Sequence, residues 1–484
     1  MKYIIGADIG TSGTKAIAFS HEGKILEVAY RSYEPVPALA EYHELDPQLL
    51  YQAFVDGVEE VVGKLKDDEL TGISFSSAMH SLMLVDASGA PLTNLITWAD
   101  LRSREQADRL KRSPEAAEIY KLSGTPIHPM SPLSKIVWFK EESAELFKKA
   151  AKFISIKEFI IHKISGKYLV DYSLASATGL FDIYKLQWNP VALQIAGINV
   201  EHLSEAVTTT HIEKVKIGEL ETEIVLGASD GCLANLGSSA VRNGDVSVTI
   251  GTSGAVRMVS DSPKYDEKAR IFNYVLTPEL FVSGGPINNG GVLLKWYNEN
   301  VLEKDVDDSG DFDDFVKAAA AIEPGCDGLV FLPYVQGERA PVWDANAKGV
   351  FFGIKAAHKQ AHFMRAIIEG ICFSLLDVSL SLEETLGEIK NVYASGGFTK
   401  SPAWVQILSD ILGREISITD TADASAIGAA MLGLYAQGVV KELEDATEFV
   451  EVKKIYKPDL AHKAVFQKNF KTYRVLYNKL KDEF

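Results

Sequence analysis

Residues 8–15, Asp-Ile-Gly-Thr-Ser-Gly-Thr-Lys, contain the pentapeptide Ile-Gly-Thr-Ser-Gly, which recurs unchanged at residues 250–254. Each copy lies between two apolar segments that are typical of buried strands. A strand–turn–strand unit found twice, 241 positions apart, indicates a duplicated half-chain. One copy alone is more typical of a plain hairpin turn. Two copies favour phosphate binding, because a turn of glycine, threonine and serine directs N–H groups and hydroxyls to one point.

Strands and helices alternate along the rest of the chain, which predicts the α/β class. Asp46 and Pro47 have the types expected to cap and begin a helix, and a long helix is predicted over residues 359–385. With 484 residues the chain is too long for one hydrophobic core. No linker rich in proline or glycine divides it, so the boundary is placed just before the second pentapeptide. The predicted domains are residues 1–240 and 241–484.

Composition and charge exclude several classes of partner and site. The formal net charge is −17, and an acidic surface repels nucleic acid and anionic membranes. The first residues lack the apolar stretch of a signal peptide, and the longest apolar run is too short to cross a membrane. The cysteines, Cys232, Cys326 and Cys372, match neither a zinc motif nor a disulfide framework. We expect a cytoplasmic protein without nucleic-acid or membrane partners.

Two common nucleotide-binding signatures are absent from the sequence. It contains neither G-x-x-x-x-G-K-[ST] nor G-x-G-x-x-G, which excludes P-loop and Rossmann nucleotide sites. Asp8 stands directly before the first pentapeptide and Lys15 shortly after it. Asp8 is a candidate to hold Mg²⁺, directly or through water, because that ion prefers carboxylate, phosphate and water oxygens.

The octapeptide at residues 8–15 resembles the first phosphate motif of the FGGY carbohydrate kinases. The similarity extends over nearly the whole chain. It implies the fold of that family, which is two actin/hexokinase-like (ribonuclease H-like) ATPase domains around a central cleft. It also implies a kinase that uses ATP and Mg²⁺ to phosphorylate a sugar or sugar acid, and it carries the expectation of a homodimer.

The same resemblance implies which residues bind the nucleotide. Both pentapeptides would hold phosphates, and the glycine-rich segment at residues 396–400 corresponds to the family's adenosine motif. That segment lies between a predicted strand and a helix that begins at Ser401 and Pro402, an arrangement that suits a nucleotide. The expected nucleotide-binding residues are Gly10, Thr11, Ser12, Lys15, Thr252, Ser253, Gly291, Gly396, Gly397, Phe398, Thr399 and Lys400.

Asp230 is the expected catalytic base. It lies in a turn of small residues, Gly-Ala-Ser-Asp-Gly, that follows an apolar strand at residues 224–226. A lone aspartate in such a turn is more often a helix cap or an Asx turn. The family's base is an aspartate in a matching segment, and the resemblance therefore implies that Asp230 accepts the proton of the attacking hydroxyl.

Three segments in the first half resemble the sugar pocket of the family: residues 76–81, 98–103 and 124–135. Without the resemblance, core packing or a local ion pair explains their residues equally well; Arg102, for instance, is able to pair with Asp100 or Glu105. With it, the expected substrate-binding residues are Met79, His80, Trp98, Asp100, His128, Met130, Lys135, Asp230 and Asn289. The candidates to meet a substrate carboxylate are His128, Lys135 and Arg102.

The strings in these segments and at residues 170–179 and 285–291 are similar to those of the FGGY-type gluconate kinases of bacteria. Leu101 is a departure, because those enzymes commonly have asparagine there. Glycerol kinases carry Arg-Glu in place of Met79 and His80, which argues against glycerol. The expected reaction is phosphorylation of D-gluconate to 6-phospho-D-gluconate. The alternatives are a xylulose kinase or another FGGY sugar kinase, and an actin-like structural protein that binds ATP.

Overall fold

The computed structural model describes residues 1–37, 39, 41–304, 310–419 and 423–484. The strands of these residues are β1 (Lys2–Ile9), β2 (Gly13–Ser20), β3 (Ile25–Ser32), β4 (Glu44–Leu45), β5 (Glu69–Ser77), β6 (Met83–Val85), β7 (Leu95–Ile96), β8 (Lys152–Ile154), β9 (Leu169–Asp171), β10 (Phe181–Asp182), β11 (Gln187–Trp188), β12 (Glu205–Val207), β13 (Ile212–Ile217), β14 (Leu220–Ser229), β15 (Asp245–Ile250), β16 (Gly254–Ser260), β17 (Phe272–Thr277), β18 (Leu280–Ile287), β19 (Val330–Leu332), β20 (Val350–Phe352), β21 (Asn391–Ser395), β22 (Ile416–Thr419) and β23 (Val452–Tyr456).

The α-helices of the same residues alternate with these strands. They are α1 (Pro47–Lys64), α2 (Arg104–Lys111), α3 (Ala116–Ser123), α4 (Pro132–Glu142), α5 (Ala144–Lys149), α6 (Ile156–Ser165), α7 (Tyr172–Ser176), α8 (Pro190–Ala196), α9 (Asp230–Gly237), α10 (Val292–Asn300), α11 (Gly310–Ala320), α12 (Gln360–Leu386), α13 (Pro402–Leu412), α14 (Ala424–Ala436) and α15 (Lys463–Leu480).

Two large mixed sheets share one strand pattern. The first has the order β13-β14-β5-β1-β2-β3 and the second the order β17-β18-β16-β15-β21-β22-β23. In the first, β1 is parallel to β5 and antiparallel to β2. In the second, β15 is likewise parallel to β21 and antiparallel to β16. The two pentapeptides are the tips of the equivalent hairpins β1–β2 and β15–β16, as the repeat in the sequence predicts.

Several local predictions are confirmed by these elements. The Asp46 carboxylate accepts the N–H of Gln48 (2.8 Å) and caps α1, with Pro47 at its first position. The long helix predicted over residues 359–385 is α12. No helix among the described residues is long and apolar enough to span a membrane.

The chain divides into two compact units, and both are discontinuous in sequence. The first comprises residues 1–243, 259–283 and 423–450, and the second comprises residues 244–258, 284–422 and 451–484. The division into residues 1–240 and 241–484 stays a prediction.

Helix α14 is part of the first unit although it comes late in the chain. It packs against β1 and α9 at backbone contact distance. An added Cβ would lie 2.0 Å from the Ala426 carbonyl oxygen at Gly6, and 1.9 Å from the Ala424 carbonyl oxygen at Gly237. Only glycine permits such an approach of two backbones. The N-terminal end of α14 is thereby held beside the carboxyl end of β1, where the first pentapeptide begins.

Candidate active site

The first pentapeptide forms the turn between β1 and β2. Gly10 donates its N–H to the carbonyl of Gly13 (3.1 Å), and the Tyr33 hydroxyl donates to the carbonyl of Gly10 (2.5 Å). Ser12 is exposed and Thr11 is half-exposed. The predicted phosphate-binding residues therefore lie at the surface of the first unit, on a turn whose backbone is fixed by its own hydrogen bonds.

Asp8 and Lys15 face each other across this hairpin and are both held by the start of α14. The hydroxyls of Ser76 and Ser425 donate to the two carboxylate oxygens of Asp8 (2.6 and 2.7 Å). Lys15 forms an ion pair with Asp423. No local sequence pattern indicates the contacts of Ser425 and Asp423, because these residues follow the hairpin by more than 400 positions.

Magnesium fits the oxygen donors at Asp8. Each carboxylate oxygen accepts one serine hydroxyl and retains a lone pair for water or an ion. Within the described part of the chain, no three His, Cys, Asp or Glu side chains are grouped closely enough to hold a metal. Mg²⁺ is usually bound by one or two carboxylates together with phosphate and water oxygens, so a single carboxylate is compatible with it. The role of Asp8 as a metal residue stays a prediction.

Asp230 is the first residue of α9 rather than part of an irregular turn. Ser229 caps the helix, with its Oγ accepting the N–H of Cys232 (3.4 Å). The half-exposed Asp230 carboxylate accepts the N–H of Gly231 (2.8 Å). The N–H groups at a helix N-terminus favour a negatively charged group beside them. This position therefore suits the predicted base.

Strand β14 is irregular immediately before Asp230. Its register with β5 shifts between Val225 and Ala228. Between them, Gly227 has φ +67°, and an added Cβ would lie 1.7 Å from the carbonyl oxygen of Phe75. Such a bulge bends a strand and redirects the residues that follow it. It therefore determines where α9 begins.

Lys157 of α6 supports this bulge, although nothing in the sequence pointed to it. The side chain is fully buried. Its Nζ donates to the carboxylate of Asp171 (2.7 Å) and to the carbonyls of Leu226 and Ala228 (3.0 Å each). Burial lowers the pKa of Lys157, and the nearby Asp171 carboxylate opposes that effect. The ammonium thus satisfies two carbonyls on either side of the bulge.

Helix α7 connects the predicted base with the predicted sugar pocket. Asp171 caps this helix. The Ser173 hydroxyl accepts the N–H of Ser229 (3.1 Å) and donates to its Oγ (3.0 Å). One residue beyond the helix, the carbonyl of Ala177 accepts from Nδ1 of His80 (2.8 Å). The segment at residues 170–179, similar to gluconate kinases in sequence, is therefore a support for two predicted site residues.

His80 is held by contacts at both ring nitrogens. Its Nδ1 donates to the carbonyl of Ala177, and its Nε2 forms a hydrogen bond with the Tyr274 hydroxyl (3.1 Å). Its backbone φ angle is +65°, which is uncommon for a residue other than glycine. These contacts fix the orientation of the ring. A contact between His80 and the sugar stays a prediction.

Lys135 is buried among the three predicted sugar segments. It has no exposed surface, and its Nζ donates to the carbonyls of His80 (2.7 Å), Thr97 (2.7 Å) and Met130 (2.8 Å). An ammonium has three N–H donors, and all three are used here. Burial lowers the pKa of Lys135 to about 7. In this structure Lys135 has no donor left for a substrate carboxylate.

Asp100 and Arg102 form a buried bidentate ion pair within the predicted sugar segment at residues 98–103. The Nε and Nη2 atoms of Arg102 donate to the buried Asp100 carboxylate (2.8 and 2.7 Å), and Nη2 also donates to Glu44 (2.5 Å). The guanidinium lies 3.9 Å from the ring centroid of Tyr42. The backbone N–H of His43 donates to Asp100 as well (2.9 Å). The local partner expected for Arg102 from the sequence is present, whereas sugar binding by Asp100 stays a prediction.

The remaining first-unit candidates lie around these groups. His128 and Met130 are buried just before α4, with Nδ1 of His128 accepting the N–H of Met130 (3.2 Å). Trp98 and Met79 are half-buried, and Met79 packs against apolar side chains of the core. The Lys135 ammonium brings the three predicted sugar segments together. Direct contacts with a sugar stay predictions.

The second pentapeptide forms the turn between β15 and β16 in the second unit. Gly251 donates its N–H to Ser253 (2.8 Å). At the start of α10, Gly290 donates to Thr252 (3.1 Å) and Gly291 donates to Gly251 (2.7 Å). An added Cβ at Gly290 would lie 2.6 Å from the carbonyl oxygen of Ser253. The glycine pair therefore allows α10 to begin directly on this turn.

A cavity of about 240 Å³ lies beside the turn, within the second unit. The rings of Phe312 and Trp404 stack there, with centroids 5.5 Å apart. Glycine and aromatic residues at a helix start suit a flat base with a phosphate chain. The cavity is lined by Ile250, Gly251, Thr252, Gly291, Val292, Lys295, Phe312, Gly397, Phe398 and Trp404.

The cavity gathers Thr252, Gly291, Gly397 and Phe398 from the predicted nucleotide site and adds residues that the sequence did not indicate. Lys295 lies on the first turn of α10, shortly after the glycine pair. This short spacing from the pair is the sequence signal that could have identified it as a residue of the nucleotide site. Phe312 comes from a segment without a motif, so no sequence signal identified it.

The rest of the adenosine motif lies on the short 3₁₀ turn Gly397–Lys400 and just before it. Gly396 has φ +101°, and an added Cβ would lie 2.7 Å from the carbonyl oxygen of Ile250. The Thr399 hydroxyl donates to the Gly396 carbonyl (2.8 Å), and Lys400 is exposed. Nucleotide contacts by Thr399 and Lys400 stay predictions.

Asn289 is fully buried and bonded to residues 336–338. Its Nδ2 donates to the carbonyl of Gly337 (2.7 Å), and its Oδ1 accepts the N–H of Gln336 (3.1 Å). The Glu338 carboxylate accepts the N–H of Asn288 (2.5 Å), and burial raises the pKa of Glu338 to about 7. These bonds make Asn289 a brace within its own unit, and a sugar contact stays a prediction.

A larger cavity, of about 880 Å³, lies elsewhere in the first unit, beside Trp188 and Val200. None of the predicted site residues is among those that line it. Size alone therefore does not identify the site, and the cavity beside the second pentapeptide is the one that the motifs support.

Comparisons with known proteins identify a family for most of the chain. The model for the "FGGY family of carbohydrate kinases, N-terminal domain" matches residues 3–237, and the model for the C-terminal domain of that family matches residues 246–437. The chain is 41% identical to a gluconokinase of Bacillus subtilis over 465 residues, which is 93% of this chain and 90% of that protein. It is 29% identical to a xylulose kinase of the same species over 497 residues, covering 100% and 98% of the two chains.

Two solved structures are similar over almost the full length of the chain. The gluconate kinase from Lactobacillus acidophilus has a TM-score of 0.94 and 34% identity, covering 99% of this chain and 98% of that one. The ligand-bound xylulose kinase from the same species has the same TM-score and identity, covering 99% of each chain. The likeness confirms the predicted mixed α/β fold and does not distinguish between the two named substrates.

Proposed function

This chain belongs to the FGGY family of carbohydrate kinases, and from that premise we propose that it transfers the γ-phosphate of ATP to the 6-hydroxyl of D-gluconate. As a carbohydrate kinase it acts on a sugar or sugar acid together with ATP. Membership of an enzyme family leaves the actin-like structural alternative without support. The choice of gluconate and the roles of individual residues are the proposed part.

The observation that carries the choice of substrate is the 41% identity to a gluconokinase over 93% of the chain, against 29% to a xylulose kinase. The similarity of the pocket strings at residues 76–81, 124–130 and 170–179 to gluconate kinases supports the same choice. Xylulose is the second candidate, because a solved xylulose kinase is as similar in fold and identity as a solved gluconate kinase.

In the proposed reaction, the Asp230 carboxylate accepts the proton of the 6-hydroxyl as its oxygen attacks the γ-phosphorus. The bond from that phosphorus to the β–γ bridging oxygen breaks, and ADP leaves. Phosphoryl transfer depends mainly on positioning and on neutralising charge. The helix start at Asp230 and the bulge held by Lys157 keep the base in place.

Each unit supplies its own nucleotide-binding groups in this proposal. The first supplies Gly10, Thr11, Ser12 and Lys15, and the second supplies its pentapeptide turn and the aromatic cavity beside it. Asp8 would hold Mg²⁺, directly or through water, and the ion would neutralise phosphate charge when bound. The serine hydroxyls that donate to Asp8 keep its carboxylate oriented for that role.

A coupled assay of ADP release tests the substrate. D-gluconate, D-xylulose, D-ribulose and glycerol are compared at equal concentrations with ATP and Mg²⁺. We expect the highest kcat/KM with gluconate. A higher kcat/KM with a neutral ketose would reject gluconate and leave the carbohydrate kinase assignment in place.

Asp230→Asn tests the base. The amide cannot accept the proton, so we expect kcat to fall by about 10²- to 10⁴-fold with little change in the KM for ATP. Asp67→Asn is the control, since Asp67 is an exposed residue remote from any predicted site segment in sequence. Turnover by Asp230→Asn within a few-fold of wild type would exclude Asp230 as the base.

A further inference from the structure

Lys135 joins three parts of the chain that are distant in sequence. Its Nζ lies 2.7 Å from the carbonyl oxygen of His80, 2.7 Å from that of Thr97 and 2.8 Å from that of Met130. These residues belong to three separate connections: after β5, after β7 and before α4. One buried ammonium is therefore the common partner of all three.

Each of these carbonyls belongs to, or directly precedes, a residue in the predicted sugar pocket. His80 and Met130 are themselves predicted to contact the substrate, and Thr97 precedes Trp98. None of the three connections is an α-helix or a long strand. Leu82 and Ile96 exchange backbone hydrogen bonds beside the first two, and the Ser103 hydroxyl donates to the Pro129 carbonyl (3.1 Å) between the second and third. The Lys135 ammonium adds one N–H donor to each of the three connections.

The cost of placing a cation here indicates a role beyond packing. Lys135 has no exposed surface, and burial of a charged group is unfavourable unless hydrogen bonds and opposite charges compensate. Asp100 favours the charged form, whereas Arg102 disfavours it. A buried charge of this kind contributes little net stability compared with an apolar side chain of similar volume.

We propose that Lys135 is a positioning residue of the sugar pocket, which holds the segments at His80, Thr97 and Met130 at their working distances and makes no contact with the substrate. The proposal rests on the proposed function only in taking those segments as the sugar pocket. It differs from the sequence-based interpretation, in which Lys135 contacts the substrate and is one of three candidates, with His128 and Arg102, to meet its carboxylate.

Lys135→Met tests the proposal, because methionine fills a similar volume without donors or charge. Lys140→Met is the matched control: it is the same substitution on the same helix, at an exposed residue whose Nζ reaches one backbone carbonyl, that of Ile195 (3.2 Å). For both variants, KM and kcat are measured with gluconate and with the neutral sugar of the panel that wild type binds best. The KM for ATP and the melting temperature are measured alongside.

We expect Lys135→Met to raise the KM for both sugars in parallel, by about 10- to 100-fold, because hydrogen bonds to a charged group are lost at all three segments. The ratio of the two sugar KM values and the KM for ATP should stay within about threefold of wild type. Lys140→Met should leave every value near wild type.

Two results would overturn the proposal. A rise confined to gluconate, with the neutral sugar unaffected, would mean that Lys135 meets the carboxylate itself. A lower melting temperature with unchanged KM values would mean a purely structural role. If Lys135→Met does not fold, Lys135→Arg carries the test: its planar guanidinium does not reproduce three tetrahedral bonds, so the same parallel rise is expected and an unchanged KM rejects the proposal.

The test separates this proposal from the substrate assignment. If wild type prefers a neutral ketose to gluconate, the gluconate assignment fails while the parallel rise for Lys135→Met is still measurable with that ketose. If wild type prefers gluconate and the variant's KM is unchanged, the positioning proposal fails alone.

Discussion

Lys157 and Asp171 form an ion pair in which neither side chain has any exposed surface. The pair lies beside β14, which ends one residue before Asp230, and its ammonium also donates to two carbonyls of that strand. A buried pair of this kind contributes modestly as a whole, but it is costly to break because one charge is left without a partner.

Lys157→Met should therefore lower the free energy of unfolding by about 3–5 kcal/mol, since Asp171 would remain buried and unpaired. Chemical denaturation measures the change. Lys167→Met is the control, because Lys167 is exposed and its ion pair with Glu213 should contribute less than about 1 kcal/mol. Adding Asp171→Asn to the first variant should restore part of the loss. Equal stability of the two single variants would contradict this account of the pair.

At the level of residues, the sequence predicts which segments lie near the site better than it predicts which groups form hydrogen bonds with each other. The segments containing His80, Trp98 and Met130 were predicted to lie together, and the structure joins them through Lys135. Lys135 itself is predicted to bind the substrate, as one of three candidates to meet its carboxylate, and that contact stays a prediction. A lysine's sequence neighbours do not show that the carbonyls of His80 and Thr97, 55 and 38 residues away, will lie beside it, so these partners are visible only in the folded chain.

The turn at the second pentapeptide and helix α10 act as one element, because the first N–H groups of the helix region bond to carbonyls of the turn. Gly290→Ala should disturb this junction, since its Cβ would lie 2.6 Å from a backbone oxygen. We expect a loss of about 1–3 kcal/mol in stability and a higher KM for ATP. Thermal unfolding and ATP titration of the rate measure both effects.

Gly251→Ala is the matched comparison on the same turn. A Cβ at Gly251 would meet no heavy atom within 4 Å, so stability should change by less than about 0.5 kcal/mol. If the turn binds phosphate, the KM for ATP should still rise. Wild-type stability and KM for Gly290→Ala would refute the junction, and an unchanged KM for Gly251→Ala would refute phosphate binding by the turn.

Elements were predicted well where the signal is local. The hairpins around both pentapeptides, the start of α1 and the long helix α12 follow from apolar periodicity and capping residues. Helix α14 contains the longest apolar run of the sequence, at residues 426–436. Its composition does not show which strand it packs against, so that contact was not predicted. The close contact between the backbones of α14 and β1 depends on Gly6, which lies more than 400 residues earlier.

For the molecule as a whole, the first compact unit is built from three pieces of chain, of which residues 1–243 are the longest. A fragment of residues 1–243 would lack α14 and would expose the surfaces of β1 and α9 that this helix covers. We expect such a fragment to unfold without a cooperative transition, as followed by circular dichroism. A fragment of residues 1–283 joined by a flexible linker to residues 423–450 should regain cooperativity. Cooperative unfolding of residues 1–243 alone would show that α14 is dispensable.

The duplication and the two-domain fold could be predicted from the repeated pentapeptide, and the similarity to solved kinases confirms that fold. The interleaving of the chain could not. A repeat places two equivalent hairpins on the sequence, but the packing of a late helix against an early strand leaves no local pattern. The predicted boundary near residue 240 therefore marks where the second copy of the repeat begins. The compact units are each made of several separate segments of the chain.

The three glycines at which α14 meets its neighbours also constrain how genes for such a chain can recombine. A crossover between the codons for residues 243 and 423 would combine α14 from one parent with β1 and α9 from the other. Gly6, Gly237 and Gly428 each leave room for no Cβ beside the opposing backbone. Such a recombinant keeps these close approaches only if the first parent encodes glycine at residues 6 and 237 and the second encodes it at residue 428, so the two ends of the gene constrain each other.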